Sequence, residues 1–354
     1  MRVAFVSMFT SDHRDTPAVR RAERVAKHLA ARGHKVTWLC AQWWGGTAIP
    51  EFERDGIRYL AVTQAPATET FRAKLPFRLR AAKPDVVHAV NVPPSHATTA
   101  KTAARLLRVP VVVDWWETDE AFGSEKRYRK AARKPDAVTT PSETVKTEVR
   151  EHGASGDDVV VVPESIDFDL VRDAAVDDRF DAVWARRLDE HANVETFLLA
   201  LAELRDRDWS AAVVGDGPAR DAAEQTARDL RIDDRVTFLG ELPPAEFVPV
   251  LKGAHAFAQT ATYEPFATEL LWALACGCVG IVEYQAGSSA HELVEGLDRG
   301  RRVTSPQELA DEIVAAGDLP TKQVDEGFAG FDHDEILDEY VTLYRDLVDS
   351  YGLF

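Results

Sequence analysis

Cysteine is nearly absent from this chain: Cys40, Cys276 and Cys278 are the only three in 354 residues. So few exclude a disulfide framework, and although Cys276 and Cys278 flank Gly277, no second cysteine pair completes a zinc site. All three read as small buried residues, and no metal is expected. Long apolar runs are missing as well, so nothing approaches membrane-spanning length. The segment Met1-Arg2-Val3-Ala4-Phe5-Val6-Ser7 reads as a strand rather than a signal peptide. The expectation is a cytoplasmic protein, attached at most to the inner membrane surface. Positive charge is also in short supply. There are 42 basic residues against 59 acidic ones, few of the basic ones are lysine, and the net charge is -17. That balance argues against general nucleic-acid binding. An acidic surface poor in lysine suits solubility in concentrated salt, where the repulsion of excess like charge is screened. The composition is therefore read as halophile-like, an ordinary acidic protein being the alternative.

With 45% hydrophobic residues the chain can bury a large core, and its length suits about two domains. Apolar strands alternate with helical patterns. Val3 to Val6, Val36 to Cys40, Pro84 to Val90, Val109 to Asp114, Ala137 to Thr140 and Val159 to Val162 read as strands. Ala18 to Arg32 and Thr98 to Leu107 read as helices. After an aspartate-rich crossing from about Ser165 to Arg179 the alternation restarts. Strands are expected at Ala182 to Ala185, Ala211 to Val214, Val236 to Leu239, His255 to Gln259 and Val279 to Val282. Helices are expected at Val194 to Leu204, Ala219 to Leu230 and Asp332 to Tyr351. Continuous β-branched runs between helices imply parallel sheets covered on both faces. The expected organisation is an α/β chain with domains at 1–168 and 169–331 and a C-terminal helix at 332–354. Two doubly wound domains would face a central cleft at the carboxyl ends of their strands.

The segment Tyr263-Glu264-Pro265-Phe266-Ala267-Thr268-Glu269-Leu270-Leu271-Trp272-Ala273-Leu274-Ala275-Cys276-Gly277 carries the most chemistry. A carboxylate on a loop is followed by a turn and an apolar helix. Thr268 is placed to cap that helix, and Gly277 to end it in the left-handed conformation. The free amides would then lie beside Glu264, a phosphate-binding helix end next to a group able to hold sugar hydroxyls. The plainer reading is an ordinary loop-to-helix junction.

That segment, together with Pro84-Asp85-Val86-Val87-His88, Ala137-Val138-Thr139-Thr140-Pro141-Ser142-Glu143, Val162-Pro163-Glu164-Ser165-Ile166-Asp167, Val214-Gly215-Asp216-Gly217-Pro218 and Asp234-Arg235-Val236-Thr237-Phe238-Leu239-Gly240, resembles the retaining glycosyltransferases of family 4. These have the GT-B architecture of two Rossmann-like domains. The resemblance runs nearly end to end. It implies transfer of a sugar from a nucleotide-diphosphate donor to a carbohydrate or lipid-linked acceptor, with no separate cofactor. Arg187, in Arg186-Arg187-Leu188 where Gly-Arg-Leu is usual, is implied as the diphosphate arginine, and its fork suits phosphate oxygens. Glu264 is implied as the group orienting the donor sugar. Gly215 would let the backbone approach the donor, with Asp216 beside it, and Phe266, Ala267, Thr268 and Glu269 would form the turn facing it. Neither Arg187 nor Glu264 is expected in the core.

The match is uneven. The family's diphosphate lysine falls at Ala192, and its second glutamate, near the ribose, falls at Trp272. Trp272 would face the nucleotide side, stacking on a ring or plugging the site. In the first domain the loop Thr10-Ser11-Asp12-His13-Arg14-Asp15-Thr16-Pro17 lacks the usual glycines, and Trp116 stands where a histidine is common. Trp116 and Glu117 are the acceptor-side candidates. The pairs Trp43-Trp44 and Trp115-Trp116 would stack on sugars or, as the simpler explanation, fill the interface between domains. Two basic runs, Phe71 to Lys83 and Lys126 to Lys134, suit contact with an anionic membrane surface or are solvated helix faces. The alternative to an enzyme is a catalytically inactive GT-B homologue acting as a binding partner or regulator; an epimerase or phosphorylase of the same shape is a third reading. The charge balance generates a first prediction. The melting temperature should rise steadily from dilute buffer to molar potassium chloride, and a flat or falling profile would remove the halophile reading.

Overall fold

The computed structural model describes residues 1–46 and 50–352. Two units emerge, one formed by Met1–Pro163 with Asp334–Phe354 and the other by Glu164–His333. The chain thus changes unit at Pro163 rather than after residue 168. The C-terminal helix is part of the first unit rather than a separate piece; residues 353–354 of the expected helix lie outside the described residues.

In the first unit the chain runs β1 (Arg2–Val6), α1 (Pro17–Ala31), β2 (Lys35–Ala41), β3 (Glu51–Arg54), β4 (Ile57–Thr63), α2 (Thr68–Ala82), β5 (Val86–Val90), α3 (Pro94–Leu107), β6 (Val111–Asp114), α4 (Glu125–Arg133), β7 (Ala137–Thr140), α5 (Glu143–Glu151) and β8 (Val159–Val161). Its eight-stranded sheet has the order β3-β4-β2-β1-β5-β6-β7-β8. All neighbours are parallel except β3 and β4. The local signals explain the boundaries. Thr16 accepts a hydrogen bond from the Val19 amide at 3.4 Å to cap α1, Pro17 occupies its first turn, and Gly33 leaves it at φ 81°. Only a residue without Cβ takes that angle cheaply. The central strands β5, β6 and β7 are buried along their whole length, as a sheet covered on both faces requires.

Trp43 and Trp44 form an aromatic cluster inside this unit. The Trp43 ring lies 5.0 Å from Phe52 and 5.5 Å from Tyr59, with the Arg54 guanidinium 4.2 Å above it. Their packing is therefore explained by β3 and β4. Trp115 is fully buried, 5.5 Å from the Tyr128 ring.

The second unit runs α6 (Phe168–Asp173), β9 (Ala182–Ala185), α7 (Val194–Glu203), β10 (Ala211–Val214), α8 (Arg220–Asp229), β11 (Val236–Gly240), α9 (Pro244–Gly253), β12 (Ala256–Gln259), β13 (Tyr263–Glu264), α10 (Thr268–Ala275), β14 (Val279–Glu283), β15 (Gly287–Ser288), α11 (Ala290–Val294), β16 (Gly300–Val303) and α12 (Pro306–Gly317). Six parallel strands take the order β11-β10-β9-β12-β14-β16, and β13 pairs with β15 in a separate two-stranded ribbon. From β9 the chain winds outward to β10 and β11, then returns to the other side of β9 as β12. The loops after β9 and β12 therefore diverge, and a doubly wound sheet binds ligands at such a point. The aspartate-rich crossing is more ordered than its composition suggests: Asp167 accepts from the Leu170 amide at 2.9 Å to cap α6, which buries Phe168 and Val171. Among the described residues no helix is long and apolar enough to cross a membrane.

The chain ends in α13 (His333–Gly352), held in the first unit by a buried polar network. Arg21 of α1 donates through Nε to both oxygens of Asp114, at 3.2 and 3.1 Å, and through Nη2 to the Tyr340 hydroxyl and the Val162 carbonyl, both at 2.6 Å. His88, held neutral because burial pushes it down to about 4, shares a 2.6 Å hydrogen bond with the Tyr344 hydroxyl. Arg21 and Asp114 are each 2% exposed, so either charge alone would lack both water and its counter-charge. Asp114→Ala is predicted to cost about 3–5 kcal/mol in urea unfolding, the scale for breaking a buried pair. A loss below about 1 kcal/mol would mean the network does not hold α13.

Candidate functional site

The divergent loops of the second sheet gather the groups that matter. Trp184 on β9 is fully buried and donates from Nε1 to the Thr260 hydroxyl at 3.0 Å, tying the end of β9 to the residue after β12. From there the first loop carries Arg186, Arg187 and Leu188, and the second carries Tyr263 and Glu264. Arg186 bridges them. Its Nε donates to Glu264 Oε2 at 2.8 Å, its Nη1 to Asp189 Oδ1 at 2.6 Å and its Nη2 to the Tyr263 carbonyl at 3.2 Å. Arg187 is exposed, and its side chain makes no ion pair among the described residues. Asp189, one of the acids that could have tied Arg187 down, is engaged by Arg186 instead.

Glu264 is buried, contrary to the expectation of a residue outside the core. The ribbon of β13 and β15 explains this. The Ser289 amide donates to the Glu264 carbonyl at 2.8 Å, and the Ser289 hydroxyl to the Pro265 carbonyl at 2.8 Å, which draws the loop inward. Burial pushes the Glu264 carboxyl up to about 7, Arg186 pulls against that rise, and Glu269 and Asp189 add to it. Burial likewise opposes charge on Arg186, but Glu264 and Asp189 outweigh it and raise its pKa.

The helix after Glu264 begins differently from the expectation. Ala267, not Thr268, is the N-cap, and no side chain caps α10. The Thr268 amide donates to the Phe266 carbonyl at 3.0 Å, so the turn closes on its own backbone and that amide is already engaged. Phe266 and Ala267 are buried beneath the turn, while Thr268 and Glu269 are half-buried. The other end is as expected. Gly277 sits at φ 83° and the Cys278 amide reaches the Ala273 carbonyl at 3.0 Å, closing the helix with a left-handed residue.

Gly215 has a different reason from ligand access. It lies at φ 124°, and a Cβ there would stand 2.1 Å from the Arg186 carbonyl oxygen. The missing side chain makes room for the neighbouring loop, which the Leu188 amide joins by donating to the Asp216 carbonyl at 3.0 Å. The exposed Asp216 side chain accepts from the Gly217 amide at 2.7 Å. Trp272 is buried on α10, 8% exposed. Ala192 is buried in the core cluster below α7, followed by Asn193 in the left-handed conformation at φ 49°. The Asn193 amide group donates to the Thr260 carbonyl at 2.9 Å and to Glu283 Oε2 at 2.8 Å. The second unit contains two lysines, Lys252 and Lys322. The first donates to the Val171 and Ala174 carbonyls, at 2.9 and 2.6 Å, and the second pairs with Asp325 at 2.7 Å. Neither supplies the charge missing at Ala192.

Trp116 and Glu117 lie in the first unit, after β6. Trp116 is buried, and the Glu117 carbonyl accepts from the Asn91 side chain at 2.8 Å. The residues that sequence reasoning did not single out are Arg186 and Asn193. A doubled arginine where Gly-Arg-Leu is usual was the available signal for the first.

Two family models match this chain. Residues 18–164 match the glycosyl transferase 4-like domain, and residues 167–322 match glycosyl transferases group 1. Glycogen synthase from Mycobacterium tuberculosis is 26% identical over 318 residues, spanning 78% of this chain and 76% of its own length. Among solved structures, HepE from Anabaena in complex with UDP aligns with a TM-score of 0.77 at 20% identity, over 98% of this chain and 100% of that one. Sucrose-phosphate synthase from Thermosynechococcus elongatus aligns with a TM-score of 0.75 at 18% identity, over 98% and 99%. Two consecutive doubly wound units, each matched by its own family model, define the class: the chain belongs to the GT-B glycosyltransferases of the family 4 group. It is a sugar-transferring enzyme.

Proposed function

We propose that the chain transfers a sugar, with retention of configuration, from a nucleotide-diphosphate donor to a carbohydrate or lipid-linked acceptor. The observation that carries this reading is the placement of Arg187, exposed and without an ion pair among the described residues, and of a buried carboxylate, Glu264, on the loops that leave β9 and β12. HepE, solved with UDP and with UDP-glucose, has the same fold.

In this reading Arg187 neutralises the leaving diphosphate, and backbone amides near Phe266 and Ala267 assist. Preorganised positive charge at the leaving group is the main physical contribution, and the departing phosphate takes the acceptor's proton, so no protein nucleophile is required. Glu264 receives a hydroxyl of the donor sugar on the oxygen that Arg186 leaves open. Asp216 and Glu269 border the donor, and Trp272 fills the volume that a ribose-binding glutamate would occupy. Trp116 and Glu117 belong to the acceptor side. An anionic membrane surface is the setting we assign to a lipid-linked acceptor, since α2 exposes Phe77, 77% accessible, among exposed Lys74 and Arg80.

Calorimetric titration of the purified chain with UDP, GDP and ADP tests the donor reading. One of the three is expected to bind, and Arg187→Ala to weaken it by tenfold or more, about 1.4 kcal/mol, with an unchanged melting temperature. Sugar transfer by that variant should fall on the order of a hundredfold. Silence for all three diphosphates would overturn the proposal.

A further inference from the structure

Arg186 stands where glycine is usual in the Gly-Arg-Leu pattern, and its side chain ties the loop after β9 to Glu264 and Tyr263 of the loop after β12. Three different donors of a single guanidinium are used: one on Glu264, one on Asp189 and one on the Tyr263 carbonyl. Asp189 also accepts from the His191 amide at 2.9 Å, so the same contact shapes the loop that carries Arg187. Both the Arg186 and Glu264 side chains are 11% exposed, which leaves little water to replace the partner if either is lost. Among the described residues only Oε2 of Glu264 is engaged, so the arginine fixes the carboxylate's rotation and leaves Oε1 for a ligand.

We propose that Arg186 is a positioning residue that orients Glu264, stands against it as its counter-charge and locks it to the Arg187 loop. This rests on the reading of Glu264 as the donor-sugar group. The charged groups acting on Glu264 are Arg186 from the end of β9, Asp189 from the same loop and Glu269 from α10; both acids oppose its ionisation. With two acids and burial acting one way, Arg186 is the cation acting the other way. No lysine of this unit substitutes for it, since Lys252 and Lys322 are held elsewhere. A lysine at position 186 would keep the charge but not the planar fork that reaches three acceptors at once.

The test is the pH profile of turnover of UDP-glucose, GDP-glucose and ADP-glucose by the natural chain, Arg186→Gln and Arg186→Lys. Activity of the natural chain should fall on the acid side through about 7, where Glu264 gains its proton. In Arg186→Gln that limb should move up by about one pH unit or more, so that activity lost at neutral pH returns in part at alkaline pH. In Arg186→Lys the limb should stay within a few tenths of a unit while kcat falls about tenfold, because charge is kept and orientation is lost. A loss of equal size at every pH in the glutamine variant would mean a merely structural role and overturn the proposal. So would a lysine variant with unaltered kcat, which decides the matter if the glutamine variant does not fold.

If the natural chain turns over none of the three, the donor reading fails, and the stability titration still decides the Arg186 claim. Because folding raises the Glu264 pKa above its ordinary 4.5, its contribution is full below 4.5 and is lost as pH rises through about 7. The stability difference between the Glu264 and Glu264→Gln proteins should therefore decline with pH and level off just above 7 with arginine at 186. With Arg186→Gln it should go on declining for about one unit more. Superimposable curves in the two backgrounds would overturn the proposal.

Discussion

The second unit's site depends on a partly buried ion pair between Arg186 and Glu264, which are far apart in sequence and meet because β9 and β12 are neighbours. The geometry follows from the winding of the sheet: β12 returns to the free side of β9, so the loops that leave these strands part company at their carboxyl ends. Arg186 and Glu264 close the gap that the winding opens. Taking both charges from water is costly, and the pair is tolerable only because the guanidinium finds three acceptors and the carboxylate lies within 2.8 Å of it. The ribbon of β13 and β15 matters for the same reason, since it holds the Glu264 backbone where Arg186 can reach it.

The first unit solves a related problem with related chemistry. Asp114 ends β6, and Arg21 crosses from α1 to meet it, adding the Val162 carbonyl and the Tyr340 hydroxyl. There the buried arginine fastens the returning helix α13. In the second unit a half-buried arginine fastens a loop beside a chemically competent carboxylate. Identical groups thus serve as a latch in one place and as an electrostatic setting in the other. What separates the two is the neighbourhood: Asp114 also takes the Thr139 hydroxyl at 2.8 Å, whereas Glu264 has an oxygen to spare.

Much of the fold was legible because its signals are local. Buried parallel strands write themselves as β-branched runs, and Gly33 and Gly277 mark helix ends that need positive φ. The periodicity of Tyr340 and Tyr344 announced α13, but nothing local announced Arg21 and His88 as its partners. Thr268 is a good capping residue in general, but here it is the first residue of α10 and the cap position falls to Ala267. A glycine at 215 suggests close approach of a ligand; the group that approaches is the Arg186 carbonyl. The Gly-Arg-Leu pattern points to Arg187, the residue that fits it, and not to Arg186. The residue that breaks the pattern proved to make the central contact.

Hydrogen exchange of the full chain with and without UDP, GDP or ADP addresses the central claim most directly, because it reports which backbone a ligand covers. The account predicts slower exchange on binding in two separate segments, 186–193 and 264–272, with the outer strand β11 little changed. Protection confined to the first unit, with both of those segments exchanging as in the free chain, would contradict it.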